Sequence, residues 1–195
     1  MYSGRVQVAG ILLGGGKSER FGSPKLEAEI GGRRLLDIAC TNFLGAGFSP
    51  VVFCGRTHPA DPRVIVTEPG AEMIDTLRSG LGACPRAPFA FAPADMPALS
   101  PELLLPLIEA FRECGKPFLL PVHAGRRGHP AFARLREPFL TARLASDVWR
   151  SADLAFHVVA SADVLFDVDA PEDLAAAGDA LSRRARLVAR GDLRG

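Results

Sequence analysis

The sequence has no excess of charge of either sign. Lysine and arginine number 23 against 22 aspartates and glutamates in 195 residues. A general nucleic-acid binder is usually clearly basic, so that class is not expected. Paired cysteines are missing as well. The four cysteines, Cys40, Cys54, Cys84 and Cys114, stand far apart, and no CxxC or Cys/His spacing for zinc occurs. They read as reduced thiols packed as small hydrophobes in a cytoplasmic protein. No apolar run reaches the length of a membrane span. The N-terminal "MYSGRVQVAGILLGGG" is too short and stops at glycines rather than at a cleavage site. Internal repeats, low-complexity segments and linkers are absent too. The hydrophobic share of 48% suffices for a core, so 1–195 is expected to form one domain, with no nucleic-acid or membrane partner.

What is present is an alternation. "VQVAGILL" reads as a buried strand, and "RRLLDIACTNFLGAG" as a helix ending near Gly45 and Gly47. "PVVFCG" and "RVIVTEPG" follow as strands, "EMIDTLRSGLGAC" as a helix, and "APFAFAPADMP" as an apolar run ending in an acidic, proline-flanked loop. "SPELLLPLIEAFREC" opens with Ser100 as cap and Pro101 at the first helical position, and Pro106 should bend or break it. "KPFLLPV" and "LAFHVV" read as strands, and "GRRGHPAFARL" as a turn re-entering a strand or short helix. "VLFDVDAPEDL" reads as a short strand before a helix start, and the tail as a basic helix. Such alternation implies an α/β, Rossmann-like three-layer fold, a mostly parallel sheet with helices on both faces. Ligands then bind beyond the carboxyl ends of the strands, where the Gly14–Lys25 loop and the loops of Asp95 and Asp169 would meet.

The glycine loop "LLGGGKSERFGSPK" fits neither common nucleotide fingerprint. The P-loop pattern would need glycine at Ile11, and Gly10 misses by one residue; the dinucleotide pattern fails at Glu19. The residue types still suit phosphate. Glycines let backbone N–H groups approach an anion, Arg20 offers a fork of donors and Lys25 a point charge. A triphosphate also needs a divalent cation, and the cation needs carboxylates, for which Asp95, Asp167 and Asp169 are candidates. Asp169 also reads as an N-cap ahead of Pro171. Lys25 and Asp95 are both expected in solvent-facing loops.

These segments together resemble the MobA-like nucleotidyltransferases, enzymes that attach a nucleotide to molybdopterin. The glycine loop is similar to their LAGGxSxRxGxxK signature through Leu13, Gly15, Gly16, Ser18, Arg20, Gly22 and Lys25, with Gly14 replacing alanine. "PADMP" resembles their metal-binding PxDxP and "DVDAPEDL" their DIDTPEDL. "RRGHPAF" resembles their RGHPxxF, and "EMIDTLRSGL" their GMxxSLxxGL, with Glu72 in place of glycine and Thr76 in place of serine. The usual GDxGxR run is degraded: only Asp147 and Arg150 align within "LASDVWRSADL".

The resemblance implies a Mg2+-dependent enzyme in which an acceptor phosphate attacks the α-phosphorus of CTP or GTP and releases pyrophosphate. It implies catalytic roles for Arg20, Lys25 and Asp95, and Mg2+ ligation by Asp95 and Asp169. Nucleotide contacts would come from Leu13, Gly14, Gly15, Gly16, Ser18, Lys25, Thr76, Arg78 and Gly80. Gly128, His129 and Pro130 would lie on the acceptor side. The acceptor would be a molybdopterin-type phosphate, with a molybdenum enzyme or its chaperone as protein partner. Gly15–Gly16 points to GTP, because a methyl at the first position would crowd a purine; "DVDAPEDL" and GHP resemble the cytidylyl branch, to which the overall pattern leans. A nucleotidyltransferase for sugar phosphates or methylerythritol phosphate, and a non-catalytic accessory protein, are the alternatives.

Overall fold

Apolar runs that end at glycine or proline become strands, and those with helical spacing become helices. The computed structural model describes residues 6–15, 21–22, 24–84, 88–151 and 153–190. In chain order the elements are β1 (Ala9–Leu13), β2 (Glu29–Ile30), β3 (Arg33–Arg34), α1 (Leu35–Gly45), β4 (Val51–Cys54), β5 (Val64–Thr67), α2 (Met73–Ala83), β6 (Phe89–Pro93) and α3 (Pro101–Glu113). They continue with β7 (Phe118–His123), β8 (Arg126–Arg127), β9 (Ala131–Ala133), α4 (Glu137–Thr141), α5 (Ala145–Ser151), β10 (Leu154–Val158) and α6 (Asp173–Arg190).

The main sheet has the order β10-β7-β9-β6-β1-β4-β5, with β8 paired to β7. Strands β6, β1, β4 and β5 run parallel, as do β7 and β10; β9 is antiparallel to both of its neighbours. Side chains of β1 alternate between two cores. Leu12 shares one with Leu36 and Phe43 of α1 and Leu107 and Phe111 of α3. Ile11 and Leu13 share the other with Ile74, Leu77 and Leu81 of α2, in a cluster that continues to Phe139 of α4 and Val148 of α5. Both faces are therefore covered, which is why β1 is buried along its whole length. Each fully buried leucine or phenylalanine here contributes roughly 2–3 kcal/mol of transfer free energy. The α/β expectation holds.

Several local expectations do not. Arg33 and Arg34 pair with Ile30 and Glu29 as a hairpin, so α1 starts at Leu35. Of the bend or break expected at Pro106, the break does not occur, since α3 is one helix from Pro101 to Glu113. "VLFDV" forms a 3-10 turn over Ala162–Leu165 and then irregular chain instead of a strand. Cys40, Cys54 and Cys84 are buried thiols and Cys114 is half-buried, in line with a packing role. No helix among the described residues is long and apolar enough to cross a membrane.

Candidate active site

The carboxyl ends of β1 and β6 lie side by side, and the chain is held as it leaves them. Ala94 N–H donates to Leu13 O, and Gly14 N–H donates to Cys54 O of β4. The first glycines and Asp95 thus share one sheet edge, as the switch-point rule requires. Asp169 arrives from far along the chain. Its loop is pinned by Val168 N–H donating to Asp95 O at 3.0 Å.

Lys25 completes the cluster. It opens a one-turn 3-10 helix, Lys25–Glu27, and its Nζ lies 2.6 Å from Asp95 Oδ2 and 3.3 Å from Asp169 Oδ1. The side chains of Lys25 and Asp95 are only 14% and 18% exposed, so the expectation of solvent-facing loops is corrected; Asp169, at 59%, does face solvent. Burial pulls the Lys25 ammonium down, but Asp95 and then Asp169 outweigh it and hold its pKa above the ordinary lysine value. Burial pushes the Asp95 carboxyl above the usual range; the Lys25 ammonium opposes this, and the charge of Asp167 adds to it.

Asp169 is not the helix cap. It lies four residues ahead of α6, and Asp173, the first residue of that helix, reaches back so that its Oδ2 accepts the N–H groups of Asp169 and Ala170, both at 2.8 Å. The Asp169 carboxylate is thereby left for Lys25 and for ligands. Asp173 is missed by the sequence pattern; its position just after the Asp-Ala-Pro turn is the signal that could have shown it.

Two observations bear on a divalent cation. Asp95 Oδ1 is buried and has no hydrogen-bond partner among the described residues. Lys25 bridges Asp95 to Asp169, so two carboxylates share one ammonium, and the charge of Asp167 also acts on Asp95. No group of three or more protein ligands placed for a metal occurs among the described residues. Two carboxylates are what Mg2+ commonly uses when substrate phosphates and water supply the remaining oxygens, so Asp95 and Asp169 fit that ion.

Beside the cluster lies a cavity of about 460 Å3, with Leu13, Gly15, Met73, Thr76, Pro93 and Asp95 among its walls. Gly15 is required there by close approach: a Cβ would lie 2.8 Å from Thr76 Oγ1 and 3.2 Å from Pro69 Cβ. Thr76 is itself buried. Its hydroxyl accepts from Gly70 N–H and lies within hydrogen-bonding distance of the carbonyls of Glu72 and Gly70, which holds the loop after β5 against α2.

Other expected site residues lie elsewhere. The Arg78 guanidinium pairs with Asp75 and donates to the carbonyls of Phe139 and Ala142, so it braces α2 against α4 and is not brought to the glycines. Gly80 is a packing position, where a Cβ would stand 2.6 Å from Ile11 Cγ2 and 2.7 Å from Cys54 Sγ. Gly128 and His129 stand behind the acids. Gly128 N–H donates to Pro121 O and His129 N–H to Val164 O, and a Cβ on Gly128 would lie 2.4 Å from Val164 O. With buried Pro130 they dock the turn that leads into Asp167 and Asp169. Burial lowers the His129 pKa, against a hydrogen bond to the Phe91 backbone and the charge of Asp167, which favours a neutral ring. Asp147 accepts from Leu144 N–H and from Arg150, and Trp149 packs among Phe91, Phe118 and Phe139. Gly16, Ser18 and Arg20 lie outside the described residues.

The fold is shared with solved structures. Rv0371c from Mycobacterium tuberculosis H37Rv superposes with a TM-score of 0.77 at 22% identity, over 89% of this chain and 98% of that one. The same protein is known as a complex with manganese, with a TM-score of 0.68 at 22% identity over the same shares of each chain. Molybdopterin-guanine dinucleotide biosynthesis protein A from Archaeoglobus fulgidus gives 0.67 at 19% identity, over 90% and 100% of the two chains. The 2-C-methyl-D-erythritol 4-phosphate cytidylyltransferase of Thermus thermophilus gives 0.68 at 20% identity, over 91% and 99%. No curated protein matches the sequence. Residues 10–158 match the MobA-like NTP transferase domain from β1 through β10. With the site's parts gathered at the carboxyl edge of the sheet, the chain belongs to the MobA-like NTP transferase domain family and is an enzyme of the nucleotidyltransferase type.

Proposed function

We propose that this enzyme transfers a nucleotidyl group from CTP or GTP to the phosphate of a molybdopterin-type acceptor. The observation that carries the reading is the Lys25 ammonium bridging Asp95 and Asp169 beside the glycine turn, with Asp95 Oδ1 buried and unpartnered among the described residues. An acceptor phosphate oxygen forms a bond to the α-phosphorus as the bond from that phosphorus to the β-phosphate oxygen breaks, and pyrophosphate leaves. The acceptor is already ionised at neutral pH, so no strong base is needed, and catalysis consists of positioning and charge neutralisation.

Lys25, together with Arg20, holds the triphosphate and offsets charge on the leaving pyrophosphate. Asp95 and Asp169 would hold Mg2+, which when bound would neutralise charge on the phosphate oxygens. Leu13 and the backbone of Gly14–Gly16, with Ser18, cradle the nucleotide, and Thr76 keeps the cavity wall in place. Gly128, His129 and Pro130 support the acidic loop from the acceptor side. A molybdenum enzyme or its chaperone would receive the product.

A second reading keeps the chemistry and changes the acceptor to a phosphorylated polyol or sugar. It is favoured by one observation: Asp147 and Arg150, the only remnants of the GDxGxR run, pair with each other. Pyrophosphate release decides between the two. ATP, GTP, CTP and UTP are each supplied with Mg2+ and either molybdenum-loaded molybdopterin or methylerythritol phosphate. Turnover with molybdopterin and not with the polyol phosphate is expected; the reverse transfers the reading to the second acceptor. Nucleotide binding without release under any pairing leaves a binding protein.

A further inference from the structure

Glu72 is the residue at which this chain departs from the glycine of its GMxxSL-like segment, and it stands at the mouth of the cavity beside Gly15 and Asp95. Its backbone is fixed. The carbonyl accepts from Thr76 N–H at 2.9 Å and lies 3.0 Å from Thr76 Oγ1, at the first turn of α2. Its side chain is not. Glu72 is exposed, and its carboxylate does not cap α2 and has neither a hydrogen bond nor an ion pair among the described residues. A second cavity begins on its other side, where Arg78 pairs with Asp75 and not with Glu72. Next to it Met73 is 57% exposed, an apolar surface of the kind a flat ring covers.

An unpaired carboxylate on an anchored backbone, at a cavity where Leu13, Met73 and Pro93 give apolar wall and Asp95 and Asp167 mark the acidic end, is an acceptor-only group with two oxygens. The bases differ in what they can offer it. Guanine presents N1–H and an N2 amino hydrogen side by side, a parallel pair of donors that matches both oxygens. Cytosine and adenine place one amino donor beside a ring-nitrogen acceptor, whose lone pair opposes the second oxygen. Uracil offers one N–H between two carbonyls. Resting on the nucleotidyltransferase reading, we propose that Glu72 is a specificity-determining residue that accepts both donors of guanine and selects GTP over the other nucleotides. Selection has an attractive part, the paired hydrogen bonds, and a repulsive part, the carboxylate against acceptor-bearing base edges.

The test measures dissociation constants for GTP, ITP, 2′-deoxy-GTP and CTP with Mg2+, for the wild type and for Glu72→Gln. ITP lacks the N2 amino group and removes one of the two donors. The wild type should bind GTP about tenfold or more tightly than ITP and CTP, the scale of a bidentate pair. In Glu72→Gln, GTP affinity should fall about tenfold while CTP changes by less than about threefold, and the penalty on ITP should vanish. Melting of the variant should match the wild type, because the side chain is exposed and makes no contact that the substitution would break. Equal losses for GTP, ITP and CTP would overturn the assignment, and so would no loss at all. Loss confined to ribonucleotides, with 2′-deoxy-GTP unaffected, would place the carboxylate on the ribose and overturn it too. Absence of binding by the wild type for every nucleotide would sink the nucleotidyltransferase reading and this inference with it.

Discussion

Lys25 Nζ stands 2.6 Å from Asp95 Oδ2, so the cation that the glycine loop contributes is held by an acid expected to bind metal. An ammonium in that place does two things. It opposes the burial that pushes the Asp95 carboxyl above its usual range, and it stands ready to contact phosphate when a divalent ion takes over the acids. A lone buried charge is costly, while a paired one with room for a further ligand is a site prepared for exchange.

Replacing Lys25 by methionine separates those roles. Turnover should fall by about 100-fold or more, the scale of losing one preorganised charge donor. Mn2+ or Mg2+ should raise the melting temperature of Lys25→Met by more than that of the wild type, because Asp95 and Asp169 are left facing each other without their ammonium. Cation-dependent thermal shifts and pyrophosphate release, measured side by side, check both halves. An unchanged turnover would remove Lys25 from the chemistry.

Gly15→Ala is expected to act through Thr76. The added methyl meets Thr76 Oγ1 at 2.8 Å, inside the protein, and so disturbs the clamp on Gly70 as well as any base in the cavity. Nucleotide affinity should fall for GTP and CTP alike in the single variant. Thr76→Ala removes the nearest colliding atom and leaves only the looser approach to Pro69 Cβ at 3.2 Å, so most of the Gly15→Ala loss should be absent when Gly15→Ala/Thr76→Ala is compared with Thr76→Ala. Additive losses in this double-mutant cycle would show that the methyl touches the nucleotide directly.

Thiol chemistry tests the cores. Burial pushes the Cys40 thiol up to about 12 and raises that of Cys54 as well. A native-state reaction with an aromatic disulfide reagent should therefore modify Cys114, whose side chain is half-buried, well before Cys40, Cys54 or Cys84. Rapid modification of Cys40 would mean that α1 does not pack on the sheet as described.

Acid stability should report the Arg34–Asp37 pair. Burial pushes the Asp37 carboxyl up, but Arg34 at 2.7 Å and the Ala60 N–H at 2.8 Å outweigh it and hold the carboxyl below its ordinary value of 3.8. A depressed acid contributes stability above its unfolded pKa and loses it as pH falls through the folded one. The melting-temperature gap between the wild type and Asp37→Asn should be full above about pH 4 and close below it. A gap that persists undiminished in stronger acid would assign the effect to packing. Because Arg34 also pairs with Glu27, it ties the Lys25 turn to α1.

The sequence shows the central strands because a parallel strand buried on both faces is an unbroken apolar run, and β1, β4, β6 and β7 are such runs. Helices α1 and α2 show through spacing, and α3 through Ser100 and Pro101. The pairing of Arg33–Arg34 with Glu29–Ile30 is set by the turn at Gly31–Gly32 and by Arg34's partners, so local apolar pattern misassigns it to α1. Strand β9 is three residues long and takes its direction from β6 and β7, which no local pattern encodes. Lys25, Asp95 and Asp169 are legible as residue types with a charge to place. Their bridging depends on contacts between distant segments, whereas the capture of the Asp169 and Ala170 N–H groups by Asp173 is local and could have been read from the turn itself. Arg78 and Gly80 stand in a nucleotide-like motif and turn out to brace and pack α2.

The most direct measurement is Mn2+ binding followed by electron paramagnetic resonance, with and without a non-hydrolysable GTP analogue, in the wild type, Asp95→Asn and Asp169→Asn. Mn2+ should bind the wild type and be tightened by the analogue, with affinity lost by about tenfold or more in each variant. Equal Mn2+ binding in the wild type and Asp95→Asn would contradict the proposed site, because the buried Asp95 oxygen would then have no part in holding the ion.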